Sequence, residues 1–107
     1  MKTPYWFFVL LLSGGLVCFF PSSPVQANAV KGAALFQNKG CIGCHAVREQ
    51  GGEVGPHLDG EGTRRTRPWI VQQLTDPKIY KPDGIMPKLI LSDQERNDLA
   101  DYLLTLK

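Results

Sequence analysis

The sequence predicts a small all-α protein with a single folded domain. Its 107 residues allow one domain and little more. Apolar side chains recur at three- and four-residue spacings in segments 29–36 and 99–106, which is typical of helices with one buried face. A third segment, 68–75, begins with a proline, where the first turn of a helix favours one. No stretch alternates apolar and polar residues for long enough to predict a strand.

The first two helices end at residues that stop helices. Lys39 places a positive charge in the last turn of the first helix, and Gly40 suits the left-handed conformation that ends it. Glycine and proline pairs then interrupt residues 46–66, which show no sustained period and are predicted to form a loop. The second helix, 68–75, ends at Asp76-Pro77, because a proline disfavours helical geometry in the residue before it.

The last helix follows a second loop. Residues 77–91 contain three prolines and one glycine, a composition that predicts an extended loop. Ser92-Asp93-Gln94-Glu95 then matches a capping box, in which the first and last side chains bind each other's backbone amides. Apolar side chains follow at helical spacing, at Leu99, Tyr102, Leu103 and Leu106. The predicted architecture is therefore roughly three or four helices joined by loops.

Residues 1–27 have the composition of a cleavable secretory signal peptide. Lys2 precedes an apolar run at 5–20, and Val25-Gln26-Ala27 offers the small residues that a signal peptidase recognises. Cleavage after the last of these residues leaves a domain of residues 28–107. The sequence therefore predicts export.

Two alternatives attach this segment to a membrane. An uncleaved membrane anchor is weakened because Ser13 and Gly14-Gly15 interrupt a run shorter than the roughly 20 apolar residues of a spanning helix. A lipid anchor on Cys18 needs a small residue directly before the cysteine, where Val17 stands. Both alternatives explain the apolar run less well than a signal peptide does.

Composition and charge exclude several other classes of protein. Hydrophobic residues make up 43% of the chain, which is too many for a disordered protein. The formal net charge of +2 is too small for a protein that binds nucleic acid by bulk electrostatics. A domain this small often adds a disulfide, a metal or a buried cofactor to its side-chain core.

The segment Cys41-Ile42-Gly43-Cys44-His45 carries the chemistry. Cys-x-x-Cys-His in an exported chain is typical of a covalent haem attachment site. The two intervening residues let both thiols add to vinyl groups along one edge of the macrocycle, and the adjacent histidine is then held below the iron. The motif predicts one haem c, attached through Cys41 and Cys44, with His45 on its iron.

Three other interpretations of the two cysteines compete with haem attachment. A thioredoxin-like dithiol normally follows a strand, whereas a helix is predicted here. A zinc site would combine Cys41, Cys44, His45 and His57, although structural zinc sites usually offer a second spaced pair. A disulfide between Cys41 and Cys44 would close a loop too short to stabilise the fold much.

Haem iron takes a sixth ligand or keeps an open position. Met86 lies in Gly84-Ile85-Met86-Pro87, and a loop stiffened by proline can hold a soft thioether against iron. The alternative for a single methionine is to fill the core. The second candidate is His57, whose glycine-rich surroundings favour a surface position instead.

These segments, in this order, resemble the class I c-type cytochromes, particularly short bacterial monohaem members. The resemblance covers essentially all of residues 28–107. The matching pieces are Gly32, Phe36, Cys41-Ile42-Gly43-Cys44-His45, Gly55-Pro56-His57-Leu58, Leu74-Thr75-Asp76-Pro77, Tyr80-Lys81-Pro82-Asp83-Gly84-Ile85-Met86-Pro87, Leu99 and Tyr102. The resemblance implies a small cytochrome c fold around one covalently attached haem, with the terminal helices crossing where Gly32 and Phe36 meet Leu99 and Tyr102.

The resemblance also implies a ligand set. His45 and Met86 would be the axial ligands of the iron, and the Pro56 carbonyl would accept a hydrogen bond from His45 Nδ1–H. Apart from the resemblance, Trp69 is predicted to pack in the core against the haem rather than to act as an electron relay. Mitochondrial members have a tyrosine near the methionine sulfur at the position of Gln73, so the role of this amide stays open.

This ligand set implies a periplasmic one-electron carrier, not an enzyme, because an iron with two protein ligands has no vacant position. Its expected partners are redox proteins, such as a membrane cytochrome complex, an oxidase or a reductase, and it is expected to be a monomer. Arg64, Arg65 and Arg67 are candidates for a docking face or for a contact with a haem propionate. The alternatives are a haem-binding subunit or module of a larger oxidoreductase complex, and a haem enzyme or sensor in which Met86 is labile.

Overall fold

The computed structural model describes residues 14–21 and 24–107. In these ranges four helices carry most of the regular structure: α1 Pro24–Asn38, α2 Glu61–Arg64, α3 Arg67–Thr75 and α4 Asp93–Leu104. A 3-10 turn covers Cys41–Gly43, and two short strands, β1 Ala46–Val47 and β2 Gln50–Gly51, pair antiparallel. The predicted all-α fold class is confirmed.

Helices α1 and α4 cross in close contact, as expected. A Cβ atom at Gly32 would collide with the backbone carbonyl of Asp98 and lie 2.7 Å from Tyr102 Cβ, so only glycine permits this approach. Phe36, one turn along α1, is 2% exposed, and its ring centroid lies 5.6 Å from that of Tyr102. Leu99 is fully buried in the same core.

Helix α3 packs on α4 and completes the core. Its buried residues are Ile70 and Leu74, and they join a single apolar cluster with Phe36, Leu99, Ala100, Leu103 and Leu106. Arg67 forms an ion pair with Asp101, whose side chain is only 6% exposed. This pairing compensates a carboxylate that burial would otherwise destabilise, and it ties the start of α3 to α4.

The predicted stop at Gly40 and the predicted capping box are confirmed, whereas Lys39, predicted in the last turn of the first helix, lies one residue beyond α1. Gly40 has φ +81°, the left-handed conformation expected directly after α1. Ser92 Oγ accepts a hydrogen bond from Glu95 N at 3.1 Å, and Ser92 N donates to Glu95 Oε2 at 3.0 Å, so the capping box is complete. Thr66 caps α3 through a bond from Trp69 N.

The prediction of an unbroken loop at 46–66 is wrong in two places. The turn between β1 and β2 places Arg48 and Glu49 at φ +52° and +65°, whereas sequence rules associate this turn with asparagine, aspartate or glycine. Helix α2 has only four residues, too few to show a period. It is held from outside, because Gly62 N donates to Leu106 O beyond α4 at 2.8 Å.

Residues 77–91 form neither helix nor strand, as predicted. No helix within 14–21 or 24–107 is long and apolar enough to cross a membrane. Most of the predicted signal peptide, residues 1–13 and 22–23, lies outside the described residues, so the signal peptide and its cleavage after Ala27 stay predictions.

Candidate functional site

A cleft of about 640 Å³ lies between the 3-10 turn, α3 and the loop 77–91. Its volume is in the range of pockets that bind cofactors. The apolar part of its wall comes from the helical core, at Phe36, Ile70, Leu74, Leu99 and Leu103. All six residues predicted to form the site line this cleft: Cys41, Cys44, His45, Pro56, Trp69 and Met86.

The two cysteines reach the cleft from the tight turn after α1. His45 N donates to Cys41 O at 2.9 Å and Cys44 N to the same carbonyl at 3.2 Å, which folds the five-residue motif on itself. Neither sulfur forms a disulfide. Before any haem is attached, burial raises the pKa of the Cys41 thiol, against a smaller lowering by a hydrogen bond with its own backbone.

His45 is held by backbone on two sides. Its Nδ1 lies 2.8 Å from the carbonyl oxygen of Pro56, and because a carbonyl only accepts, Nδ1 carries the proton. In the neutral ring Nε2 then has a free lone pair, the form in which imidazole binds a metal. A Cβ atom at Gly55 would lie 2.6 Å from His45 Cε1, so the ring fits only against glycine. No local sequence pattern indicates that Gly55 helps to place the ring, because Gly55 and His45 are not neighbours in the chain.

Met86 lines the same cleft from the loop 77–91. The side chain is partly buried and packs against the apolar core. Gln73 Nε2 donates to Met86 Sδ at 3.5 Å, a distance suited to a sulfur acceptor. The amide of Gln73 therefore contacts the thioether, which answers the question that the sequence left open.

Trp69 lies at the rim of the cleft in a stack that sequence analysis missed. Its ring is nearly parallel to that of Tyr80, with centroids 4.9 Å apart and an interplanar angle of 11°. The guanidinium carbon of Arg65 lies 3.8 Å from the Trp69 ring centroid. The three residues come from separate positions along the chain, so spacing could not reveal their contact.

The three arginines of the predicted basic cluster have separate roles. Arg64 donates to the Asp59 carbonyl and to Glu61, each at 2.8 Å. Arg67 pairs with Asp101. Arg65, on the Trp69 ring, lines the cleft. The structure therefore does not bring the three together as one free docking face.

His57, the second histidine, does not line the cleft. Its Nε2 lies 2.7 Å from Glu53 Oε2. This hydrogen bond, together with the negative charge of Glu53, raises the pKa of the exposed imidazole. In residues 14–21 and 24–107, no three His, Cys, Asp or Glu side chains are grouped to hold a metal ion, which removes support from the zinc interpretation.

The cleft suits a haem by its donor set. Two thiols, an imidazole with a free nitrogen and a thioether all border one cavity whose remaining wall is mainly apolar. The thiols match covalent attachment, and nitrogen and sulfur donors are the ligands that haem iron accepts. The residues present therefore fit this cofactor.

The comparisons with known proteins agree with this site. Residues 29–107 match the family described as Cytochrome c. A cytochrome c-553-like protein of Synechocystis sp. is 33% identical over 82 residues, which cover 77% of this chain and 72% of that protein. A nitric oxide reductase subunit of Stutzerimonas stutzeri is 29% identical over 87 residues and 76% of this chain. Cytochrome c oxidase subunit 2 of Alkalihalophilus pseudofirmus is 29% identical over 93 residues and 78% of this chain.

The chain spans 60% of the reductase subunit and 27% of the oxidase subunit. Its likeness to these two proteins is therefore a likeness to part of each. The family match, by contrast, extends over nearly all of the helical domain and includes every residue that lines the cleft. This chain belongs to the cytochrome c family and binds covalently attached haem c.

Proposed function

We propose that this protein is an exported one-electron carrier that holds its haem iron between His45 and Met86, with Cys41 and Cys44 as the attachment residues. The observation that carries the proposal is that the imidazole and the thioether border the same cleft. Each has a hydrogen-bond partner of its own, the Pro56 carbonyl at 2.8 Å and the Gln73 amide at 3.5 Å.

The chain's own residues account for electron transfer rather than catalysis. Haem, once bound, supplies an iron centre that gains and loses one electron. His45 and Met86 together would occupy both axial positions, which leaves no place for a substrate. Methionine is a weak donor, so it favours reduced iron and a higher potential than a second histidine would. The apolar wall limits the access of water to the site, so the surroundings of the iron would change little when the iron gains or loses an electron.

The residues at the rim of the cleft are suited to brief contact with a redox partner. Lys39 and Lys81 line the cleft beside the exposed apolar side chains Val54 and Ile85. Small interfaces with an apolar centre and steering charges are typical of weak redox encounters. The proposed partner is an acidic face of an oxidase, a reductase or a membrane cytochrome complex, with this chain as a monomer.

Residues 1–27 are proposed to direct export and to be removed, leaving the domain 28–107 in the periplasm. The composition of the segment supports this location, and so does the haem attachment motif, which is typical of exported chains. Attachment to the membrane would follow only if the segment were retained.

A second candidate is a haem-binding module of a larger oxidoreductase complex. It is favoured by the likeness to part of an oxidase subunit 2 and to part of a nitric oxide reductase subunit. Gentle fractionation of native cells into soluble and membrane proteins separates the two candidates. A carrier is recovered alone, whereas a module is recovered with the other subunits.

Absorption spectra of the exported protein test the ligand set. We expect a haem c spectrum with the weak far-red band of methionine sulfur on ferric iron. Met86→Ala should abolish that band and let the reduced protein bind carbon monoxide. His57→Gln, which changes the other candidate ligand, should alter neither. A far-red band that survives in Met86→Ala, or its absence from the unmodified protein, would contradict the ligation.

A further inference from the structure

The loop that carries Met86 has few backbone bonds to the rest of the fold. Its turns are closed from within, by Ile79 N to Asp76 O at 3.2 Å, Lys81 N to Pro77 O at 3.3 Å and Gly84 N to Lys81 O at 3.0 Å. The Lys78 ammonium also donates to the Gly84 carbonyl. Among the described residues, the backbone of 85–90 makes no hydrogen bond to another element. The position of Met86 therefore depends on side-chain contacts.

Helix α3 supplies two of these contacts from one face. Trp69 and Gln73 are four residues apart, so they lie one turn apart on the same side of the helix. Trp69 stacks on Tyr80, and Gln73 donates to the sulfur of Met86. Tyr80 and Met86 belong to the same loop, so two points of the loop rest on one helical face.

Arg65 contacts the same indole. Its guanidinium carbon lies 3.8 Å from the Trp69 ring centroid, and the Tyr80 ring stacks on that indole as well. Arg65 Nε lies 3.6 Å from Glu61 Oε1, which restrains the guanidinium from α2. Offset aromatic stacking and a cation over an indole are both attractive, and here they act on the same ring.

The exposure of Tyr80 shows that the core does not hold it. Tyr80 is 45% exposed, and the loop residues on either side of it, Ile79 and Lys81, are exposed as well. Its aromatic contact is with Trp69. Between the buried Pro77 and Met86, the stack on Trp69 is the aromatic contact that joins the loop to α3.

We propose that the Arg65–Trp69–Tyr80 stack is the latch that holds the Met86 loop on α3, and that Tyr80 is a positioning residue for Met86. The inference rests on the proposed ligation by Met86. Release of Tyr80 from Trp69 frees the loop from the helix and withdraws the sulfur from the cleft. The stack, rather than the methionine alone, then sets how readily an outside ligand reaches the haem iron.

The test compares Tyr80→Leu with Tyr80→Phe in the haem-loaded protein. Phenylalanine keeps the ring and removes only the hydroxyl, so it is the matched control. In Tyr80→Leu we expect the ferric protein to bind imidazole on the order of tenfold more tightly, because the aromatic and cation contacts no longer oppose release. Tyr80→Phe should stay within about twofold of the unmodified protein.

Amide hydrogen exchange gives a readout that needs no added imidazole. The amides of Lys81 and Gly84 should exchange faster in Tyr80→Leu by a similar factor, while the amide of Leu99 in α4 keeps its rate. Faster exchange at Leu99 as well would mean a general loss of stability and would overturn a local latch. Arg65→Met should shift the loop amides in the same direction by less, and Arg65→Lys, which keeps the cation, should shift them least.

The outcomes separate this inference from the proposed function. A far-red methionine band with equal imidazole affinity and loop exchange in Tyr80→Leu and Tyr80→Phe would keep the ligation and overturn the latch. Absence of the band from the unmodified protein would overturn the ligation. The exchange of Lys81 and Gly84 would then still decide whether the stack holds the loop.

Discussion

The two walls of the haem cleft are built in different ways. On the side of His45, backbone groups do the positioning, since Gly55 N donates to Cys44 O at 2.7 Å and the Pro56 carbonyl accepts from the ring at 2.8 Å. On the side of Met86, the contacts are between side chains, at Gln73 and through the Trp69–Tyr80 stack. One wall is a network of short-range backbone bonds, and the other is a loop resting on a helix.

The difference indicates where each proposed ligand obtains its stability. Backbone bonds within the segment 41–56 position the imidazole, and the proposed thioethers at Cys41 and Cys44 would add to that restraint. The thioether of Met86 depends on contacts that each contribute about 0.5–1.5 kcal/mol. Substitutions on the methionine side should therefore change ligand affinity gradually, whereas substitutions on the histidine side should disrupt the site.

The sharpest test of this comparison pairs two glycines. In Gly55→Ala the added carbon would lie 2.6 Å from His45 Cε1, so the ring must move and its bond to Pro56 is strained. We expect a loss of about 1–3 kcal/mol in the free energy of unfolding and a lower yield of attached haem. Denaturant titration and the visible spectrum measure the two effects.

Gly84→Ala is the counterpart on the methionine side. The nearest atom to its added carbon is Lys81 O at 3.1 Å, in an exposed part of the loop that can adjust by a few tenths of an ångström. Its unfolding free energy should change by less than about 1 kcal/mol. Equal losses in the two variants would refute the view that the histidine wall is the more rigid one.

An intermediate effect is expected at Gln73. Gln73→Leu removes the donor to Met86 Sδ while keeping a side chain of similar size. Loss of a hydrogen bond worth about 0.5–1.5 kcal/mol should raise the imidazole affinity of the ferric protein roughly twofold to tenfold. Gln72→Leu, the same change one residue earlier on α3, serves as the control and should leave the affinity unchanged. The same rise in both variants would show that the amide does not act on the sulfur.

The smallest effect concerns the exposed pair Glu53–His57. The hydrogen bond and charge of Glu53 raise the pKa of His57, so Glu53→Gln should return it toward its ordinary value of about 6.5. A raised folded-state pKa stabilises the fold below the unfolded value, and that contribution disappears as the pH rises through the folded value. The unmodified protein should therefore exceed the variant in stability below the raised pKa of His57, and the difference should disappear as the pH rises through that pKa.

Imidazole proton chemical shifts followed against pH measure this change directly. The far-red band should be the same in Glu53→Gln and in the unmodified protein, because His57 does not line the cleft. If the variant lost the band, the Glu53–His57 pair would also affect the binding of Met86, and the two sides of the cleft would not be independent.

Much of the fold was predictable because its signals are local. Gly40 stops α1 through its own conformation, and Ser92 with Glu95 begins α4 through bonds within one turn. The hairpin and α2 were missed for the opposite reason. Arg48 and Glu49 adopt positive φ although their residue types do not favour it. Helix α2 depends on a hydrogen bond from Gly62 N to the Leu106 carbonyl, just beyond α4.

The candidate site divides in the same way. Cys41, Cys44 and His45 were identified from spacing, since their chemistry requires them to be neighbours in the chain. Met86 could be named as a candidate because the predicted domain 28–107 holds one methionine, yet its environment could not be derived. The contacts of Gln73, Tyr80 and Gly55 join residues that lie many positions apart, so only the folded chain shows them.

The sequence by itself determined the cofactor and the main helices and named the candidate iron ligands, because each depends on residue type and short spacing. Only the tertiary structure decided that backbone holds the imidazole while a side-chain stack holds the methionine loop. The physical reason is that packing is a property of surfaces brought together by folding, and no local pattern records which distant side chains will meet.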